Sequence, residues 1–244
     1  MLTRLGQGGP VLDLGCGRGE LAFQLAANGI PVTAIDYSPT AIEIAKGCFD
    51  EASAAAREKA TFICGDATDL QLPTRFAVAI AGDLIEHLAP EELERLYASV
   101  ADLLMPNGVF VIHTAPNVWR YTRSYPRRRR EVRRLGGDMP AEPRTRYELL
   151  MHINEQSPTQ LRRALRRYFP HVLVWVGTPR NPADHLTRRF SIGELAGASS
   201  IYALASHARI DAGEAAVALT SRPLPQGEHA KFRIALVECP DTVE

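Results

Sequence analysis

Over the first 114 residues short apolar runs alternate with helical stretches, the pattern of a parallel sheet covered on both faces. The first apolar run, 10–14, leads into a helical pattern near 18–29 that stops at Asn28-Gly29. A second run covers 31–35 and ends at Asp36; Ser38-Pro39 then offers a cap followed by proline at the first helical position, and an alanine-rich helix runs to about residue 57. Further strands are expected at 60–64, 76–81 and 109–114, with a helix over 90–105 that breaks at Pro106-Asn107-Gly108.

Beyond residue 114 the periodicity weakens. Residues 116–156 are rich in proline, arginine and tyrosine and read as an insertion rather than core. Ser157-Pro158 opens a helix to about 168, and 171–176 reads as a sixth strand. Residues 179–230 read as a second insertion with one helix near 193–208, and 231–238 alternates well enough for a final strand. The class is α/β, with all 244 residues read as one domain carrying two insertions. Only nine residues precede the first strand, so any cover over the site is expected from an upstream extension or from the later insertions.

The first turn holds the most specific chemistry. Asp13-Leu14-Gly15-Cys16-Gly17-Arg18-Gly19 places an acid and three alternating glycines between a buried strand and a helix. Such a turn exposes backbone N–H groups and a positive dipole end to a ligand. A dinucleotide fold uses G-x-G-x-x-G; the pattern here is D-x-G-x-G-x-G. It resembles the first motif of class I S-adenosylmethionine-dependent methyltransferases, and the resemblance extends through the fifth strand. It implies a Rossmann-like, doubly wound, seven-stranded sheet, six strands parallel and one late strand antiparallel, with helices on both faces. It also implies that the loop of Gly15, Cys16, Gly17 and Gly19 packs on the amino-acid end of the cofactor, with Asp13 ordering the loop.

Three more acids stand at strand ends, where ligands of open α/β sheets bind. Asp36 lies 17 residues after Gly19, placed to accept both ribose hydroxyls, with Tyr37 against the adenine. Asp66 and Ala67, in Cys64-Gly65-Asp66-Ala67-Thr68, resemble the family's adenine contacts. Asp83, in Gly82-Asp83-Leu84-Ile85-Glu86-His87, sits where relatives line the methionine portion. Any one of these acids could be a cap or turn former; three in register with the glycine bend point to S-adenosylmethionine.

Methyl transfer to a hydroxyl needs alignment and a base of near-neutral pKa. Three histidines qualify as candidates. His87, beside Glu86, resembles the E-H pair of many small-molecule methyltransferases, the ubiquinone-pathway type among them. His113 ends the fifth strand, and alternation does not fix whether it points inward. His152 lies just before the helix capped by Ser157. Glu86, Asn117, Trp119, Tyr121 and Asn154 are candidate acceptor contacts. The tetrapeptide of amino-methylating enzymes and the Pro-Cys pair of cytosine-C5 enzymes are absent from the sequence. No spacing marks a metal site, and Cys16, Cys48, Cys64 and Cys239 read as reduced thiols of a cytoplasmic protein without a signal peptide or membrane span.

Zero net charge conceals an asymmetry. Residues 1–118 carry 7 basic and 15 acidic side chains, the remainder 21 and 13. Ten arginines against three acids fall between Trp119 and Arg146, interleaved with aromatics. This stretch reads as a solvated loop bridged to the acidic half, as a lid for a small anionic acceptor, as an RNA surface, or as an anionic-membrane face. Neutral overall charge and the lack of an appended RNA-binding module disfavour RNA. The expected function is S-adenosylmethionine-dependent O-methylation of a small or medium-sized metabolite such as a sugar, glycan terminus or secondary metabolite. The alternatives are an RNA methyltransferase and a cofactor-binding regulator without catalysis; the oligomeric state is left open.

Overall fold

The structure, a computed structural model, describes residues 8–50, 54–177, 186 and 191–220. Seven strands form one sheet: β1 Val11–Leu14, β2 Val32–Asp36, β3 Ala60–Cys64, β4 Phe76–Gly82, β5 Leu104–Thr114, β6 His171–Gly177 and β7 Ser200–Ser206. Their order is β3-β2-β1-β4-β5-β7-β6. β7 runs antiparallel to both β5 and β6, and the pairings among β1 to β5 are parallel. The helices are α1 Glu20–Ala27, α2 Pro39–Asp50, α3 Ala54–Arg57, α4 Pro90–Leu103, α5 Tyr125–Arg134, α6 Arg146–Met151, α7 Pro158–Leu165, α8 Ile192–Gly197 and α9 Ala212–Thr220.

β1 is buried at every position, because its alternate side chains enter two different cores. Leu12 and Leu14 pack with Leu93, Leu96, Tyr97 and Val100 of α4 and with Leu161 and Leu165 of α7. Val11 packs on the opposite face with Phe23 of α1 and Ile42 and Phe49 of α2. The apolar positions of α4 recur at i, i+3, i+4 and i+7, and Glu92 closes its first turn by accepting the Ala89 N–H at 2.7 Å. Ser38 caps α2 through the Ala41 N–H at 3.3 Å, and Ser157 caps α7 through the Gln160 N–H at 3.3 Å, as the Ser-Pro pairs predict.

One element differs from the sequence reading. The helix expected near 193–208 is only α8, and Ser200–Ser206 is instead the antiparallel strand. Ile201, Ala203 and Ala205 enter the core of α4, while Leu204 packs with Trp175 on the other face. With apolar residues on both faces, this run has no alternation to separate it from a buried helix. The final strand expected at 231–238 lies outside the described residues. The arginine-rich stretch after β5 holds a five-residue π-helical segment, Arg120–Ser124, followed by α5 and α6.

Chain order reverses between β1 and β4, so the crevice for a ligand opens at their carboxyl ends. There the bend after β1 touches the turn after β4. A Cβ on Gly15 would lie 3.0 Å from Leu84 Cδ1.

Candidate active site

The three glycines of the bend all have positive φ, but their surroundings differ. Gly15 is hemmed by Leu84, and a Cβ on Gly19 would fall 2.9 Å from Ala45 Cβ. Gly17 alone faces open space, with nothing within 4 Å of its would-be Cβ. Two glycines therefore serve packing; the third leaves the main chain bare toward open space.

The loop is tied by Asp36. Its Oδ2 accepts the Gly17 N–H at 2.8 Å and its Oδ1 the Ser38 N–H at 2.9 Å. A carboxylate offers about four lone-pair sites, so two hydroxyls can still be accepted. Loop ordering, which the family resemblance implies for Asp13, falls in this geometry to Asp36. Asp13 lies beneath the bend, 4% exposed, and its Oδ2 has no hydrogen-bond partner among the described residues. Burial foremost, then the charges of Asp36 and Glu20, push its pKa up to about 7. A buried carboxylate oxygen without a donor, beside an open main-chain bend, fits a ligand that brings a positive charge or N–H groups. Cys16 is buried, and burial with the same two aspartates lifts its thiol to about 12, which removes it as a nucleophile near neutral pH.

Asp66 forms a tight turn, its Oδ1 accepting the Thr68 N–H at 2.7 Å, and Ala67 beside it is buried. Tyr37 stands exposed next to Asp36. These residues line the ends of β2 and β3, neighbours of β1.

Past β4, Asp83 takes the left-handed conformation, φ 52°, alone among the described non-glycine residues. Its N–H donates to the His113 carbonyl at 3.0 Å and its carboxylate meets His113 Nδ1, also at 3.0 Å. The hydrogen bond from His113 holds the Asp83 carboxyl below its ordinary range, and the charges of His87 and His152 add to that, so all three histidines gather around this acid. His113 Nε2 is buried without a partner among the described residues, and its ring lies 4.8 Å from that of Tyr202, a contact invisible in the sequence because β7 was not legible. His87 Nδ1 donates to the Met151 carbonyl at 2.9 Å, and the His87 and His152 rings pack edge to face at 5.0 Å. With its proton fixed on Nδ1, His87 presents the Nε2 lone pair. His152 Nδ1 sits 3.8 Å from Glu155 Oε1. Glu155, which sequence reasoning missed, also accepts from Arg144 Nη1 at 3.1 Å.

The candidate acceptor contacts separate into two groups. Glu86 is 1% exposed and accepts the Thr114 hydroxyl at 2.9 Å, while its carbonyl takes the Asn154 N–H at 3.0 Å. Burial raises its pKa. It is floor, not acceptor surface. Asn117 is fully buried; its Nδ2 donates to the Leu195 carbonyl at 2.8 Å and its Oδ1 accepts the Trp119 N–H at 3.1 Å. Both polar ends are used inside the protein, so it pins the start of the excursion to α8. Trp119 and Tyr121 are each covered by an arginine of the same segment, Arg123 at 4.7 Å and Arg144 at 4.9 Å from the ring centres. Asn154 Oδ1 accepts from Gln156 at 2.8 Å. No cluster of three metal-ligating side chains is present among the described residues.

Comparison with known proteins finds methyltransferases. Residues 11–108 match the family model described as a methyltransferase domain. The chain is 36% identical over 107 residues to the mitochondrial ubiquinone biosynthesis O-methyltransferase of Schizosaccharomyces pombe, covering 44% of this chain and 38% of that protein. It is 34% identical over 122 residues to magnesium-protoporphyrin O-methyltransferase of Rhodobacter capsulatus, covering 46% and 53% respectively. The matches thus span about half or less of these curated relatives. A glycopeptide N-methyltransferase solved with sinefungin superposes with a TM-score of 0.56 at 22% identity, over 84% of this chain and 83% of the other. The fold is that of the class I methyltransferases, and residues 11–108 carry the matched methyltransferase domain.

Proposed function

We propose that the protein is an S-adenosylmethionine-dependent methyltransferase acting on a hydroxyl of a small or medium-sized metabolite, such as a sugar, a glycan terminus or a secondary metabolite. One observation carries the reading: Asp13, buried beneath the open Gly17 bend with an oxygen that meets no donor among the described residues, at the switch point of this sheet. The cofactor, when bound, supplies an electrophilic methyl group on a sulfonium with a good leaving group. The chain's own task is then alignment and proton removal.

Asp36 keeps lone pairs for the ribose hydroxyls, Asp66 faces the adenine amine, and Asp13 with Asp83 supplies negative charge toward the cationic amino-acid end. His87 takes the acceptor's proton on Nε2, because the Met151 carbonyl holds the other ring proton in place. Asp83 stabilises the imidazolium that forms, with His113 fixing the carboxylate's direction. The O-methyltransferase names of the two relatives support an oxygen acceptor. The arginine excess after β5 supports an acceptor with anionic character, and dependence on an intracellular methyl donor, with free thiols at Cys16, Cys48 and Cys64, supports a cytoplasmic setting.

Calorimetry with S-adenosylhomocysteine and with NAD tests the cofactor, followed by transfer of labelled methyl to a panel of hydroxylated metabolites. Binding of the first nucleoside alone and label in an alkali-stable ether are expected. Binding of NAD alone would remove the reading.

A further inference from the structure

Nine large hydrophobic side chains stand exposed among the described residues, and six of them crowd into 135–153: Leu135, Tyr147, Leu149, Leu150, Met151 and Ile153. Leu135 is 82% exposed, Leu150 65% and Ile153 60%. Scattered exposed leucines need no explanation, but a concentration of this kind does. The same excursion carries α5, which buries none of its residues. Arg127, Arg130 and Arg134 follow at i, i+3 and i+7 and share one face of that helix. Arg127, Arg128 and Arg134 make no side-chain hydrogen bond or ion pair among the described residues.

Unpaired guanidinium groups in the same excursion as exposed leucine and isoleucine make an interfacial composition, the charges suited to phosphate headgroups and the apolar side chains to the acyl boundary. A nucleic acid would use the arginines but leave the leucines in water. A symmetric second copy would bring one arginine row against another across the two-fold axis. No helix among the described residues is long and apolar enough to cross a membrane, so the mode is surface docking. We propose that the 116–156 excursion is a docking surface for bilayers containing anionic lipid. The surface ends at the candidate active site, since Met151 holds His87 and the Asn154 N–H holds the Glu86 carbonyl.

Sedimentation of the full chain with vesicles tests this without any methyl transfer. Vesicles of roughly 30 mol% phosphatidylglycerol in phosphatidylcholine, at about 0.15 M salt, are compared with pure phosphatidylcholine. Partition at least tenfold stronger on the anionic vesicles is expected. The pair Leu149→Asp and Leu150→Asp, with every arginine intact, weakens it at least tenfold, and so does the triple Arg127→Glu, Arg130→Glu, Arg134→Glu. Melting curves show that the variants remain folded. Absence of vesicle binding overturns the proposal, as does binding that the leucine pair leaves unchanged while a short RNA competes it away. A wild-type dimer that the leucine pair dissociates, without vesicle binding, overturns it as well.

Discussion

At the scale of single residues, Asp13 and His87 carry the sharpest expectations. The Asp13 carboxyl titrates at about 7 in the fold, whereas an unfolded aspartate ionises near 4. Between about pH 4 and 7 the folded chain therefore holds a proton that the unfolded chain has lost. Its contribution to stability is most favourable below about pH 4, falls as pH rises, and reaches its full penalty above about 7. Three units correspond to an effect on the order of 4 kcal/mol. Asp13→Asn removes the buried charge, so its melting temperature exceeds that of the wild type at pH 8 and not at pH 4. The same change lowers S-adenosylhomocysteine affinity at least tenfold, and wild-type affinity tightens as pH rises through 7. Fluorimetric melts and calorimetry at both pH values check this; a variant no more stable at pH 8 refutes the buried-charge account. For His87→Asn, kcat falls by about 10²–10⁴ with cofactor KM little changed. His113→Asn, acting through Asp83, lowers kcat by less.

At the scale of elements, the glycine bend separates packing from binding. Gly19→Ala meets Ala45 as well as a positive φ, and Gly15→Ala meets Leu84; both destabilise the fold by about 1–3 kcal/mol. Gly17→Ala carries only the left-handed strain, about 1 kcal/mol, yet fills the ligand side and abolishes S-adenosylhomocysteine binding. Arg144 bridges Glu142 and Glu155 within the excursion. The Glu142 carboxyl, held down to about 2 by Arg144, is exposed, so Glu142→Gln leaves the melting temperature unchanged. Arg144→Met strands Glu155 beside His152 and costs about 1 kcal/mol, with faster proteolysis within 116–156 as the second readout. What the sequence showed follows the same division. The bend, the Ser-Pro caps and the strand ends bearing Asp36, Asp66 and Asp83 are local and were legible. The direction of His113 and the inward turn of Asn117 depend on residues 78 to 89 positions away, on β7 and α8, and the Glu155 pairing on Arg144, 11 positions back in the excursion, and no local pattern carries them.

At the scale of the whole molecule, two cores share one sheet. The glycine bend is anchored in the core of α1 and α2, and the turn after β4 in the core of α4 and α7. β7 inserts between β5 and β6, so the half of the sheet that carries His113 is completed only by residues near position 200. Its apolar residues on both faces hid this strand from the sequence pattern, while the parallel half, read from continuous buried runs, was plain. A ligand that bridges the bend after β1 and the turn after β4 therefore couples both cores. At one hundred times its Kd such a ligand stabilises the native state by about 2.7 kcal/mol. At roughly 2–4 °C per kcal/mol for a domain of this size, the melting temperature rises by about 5–11 °C with saturating S-adenosylhomocysteine. The transition stays single if the two halves unfold together. A ligand-independent second transition would mean that the β5-β7-β6 half unfolds on its own and that the bend and the acceptor rim are not coupled through the sheet.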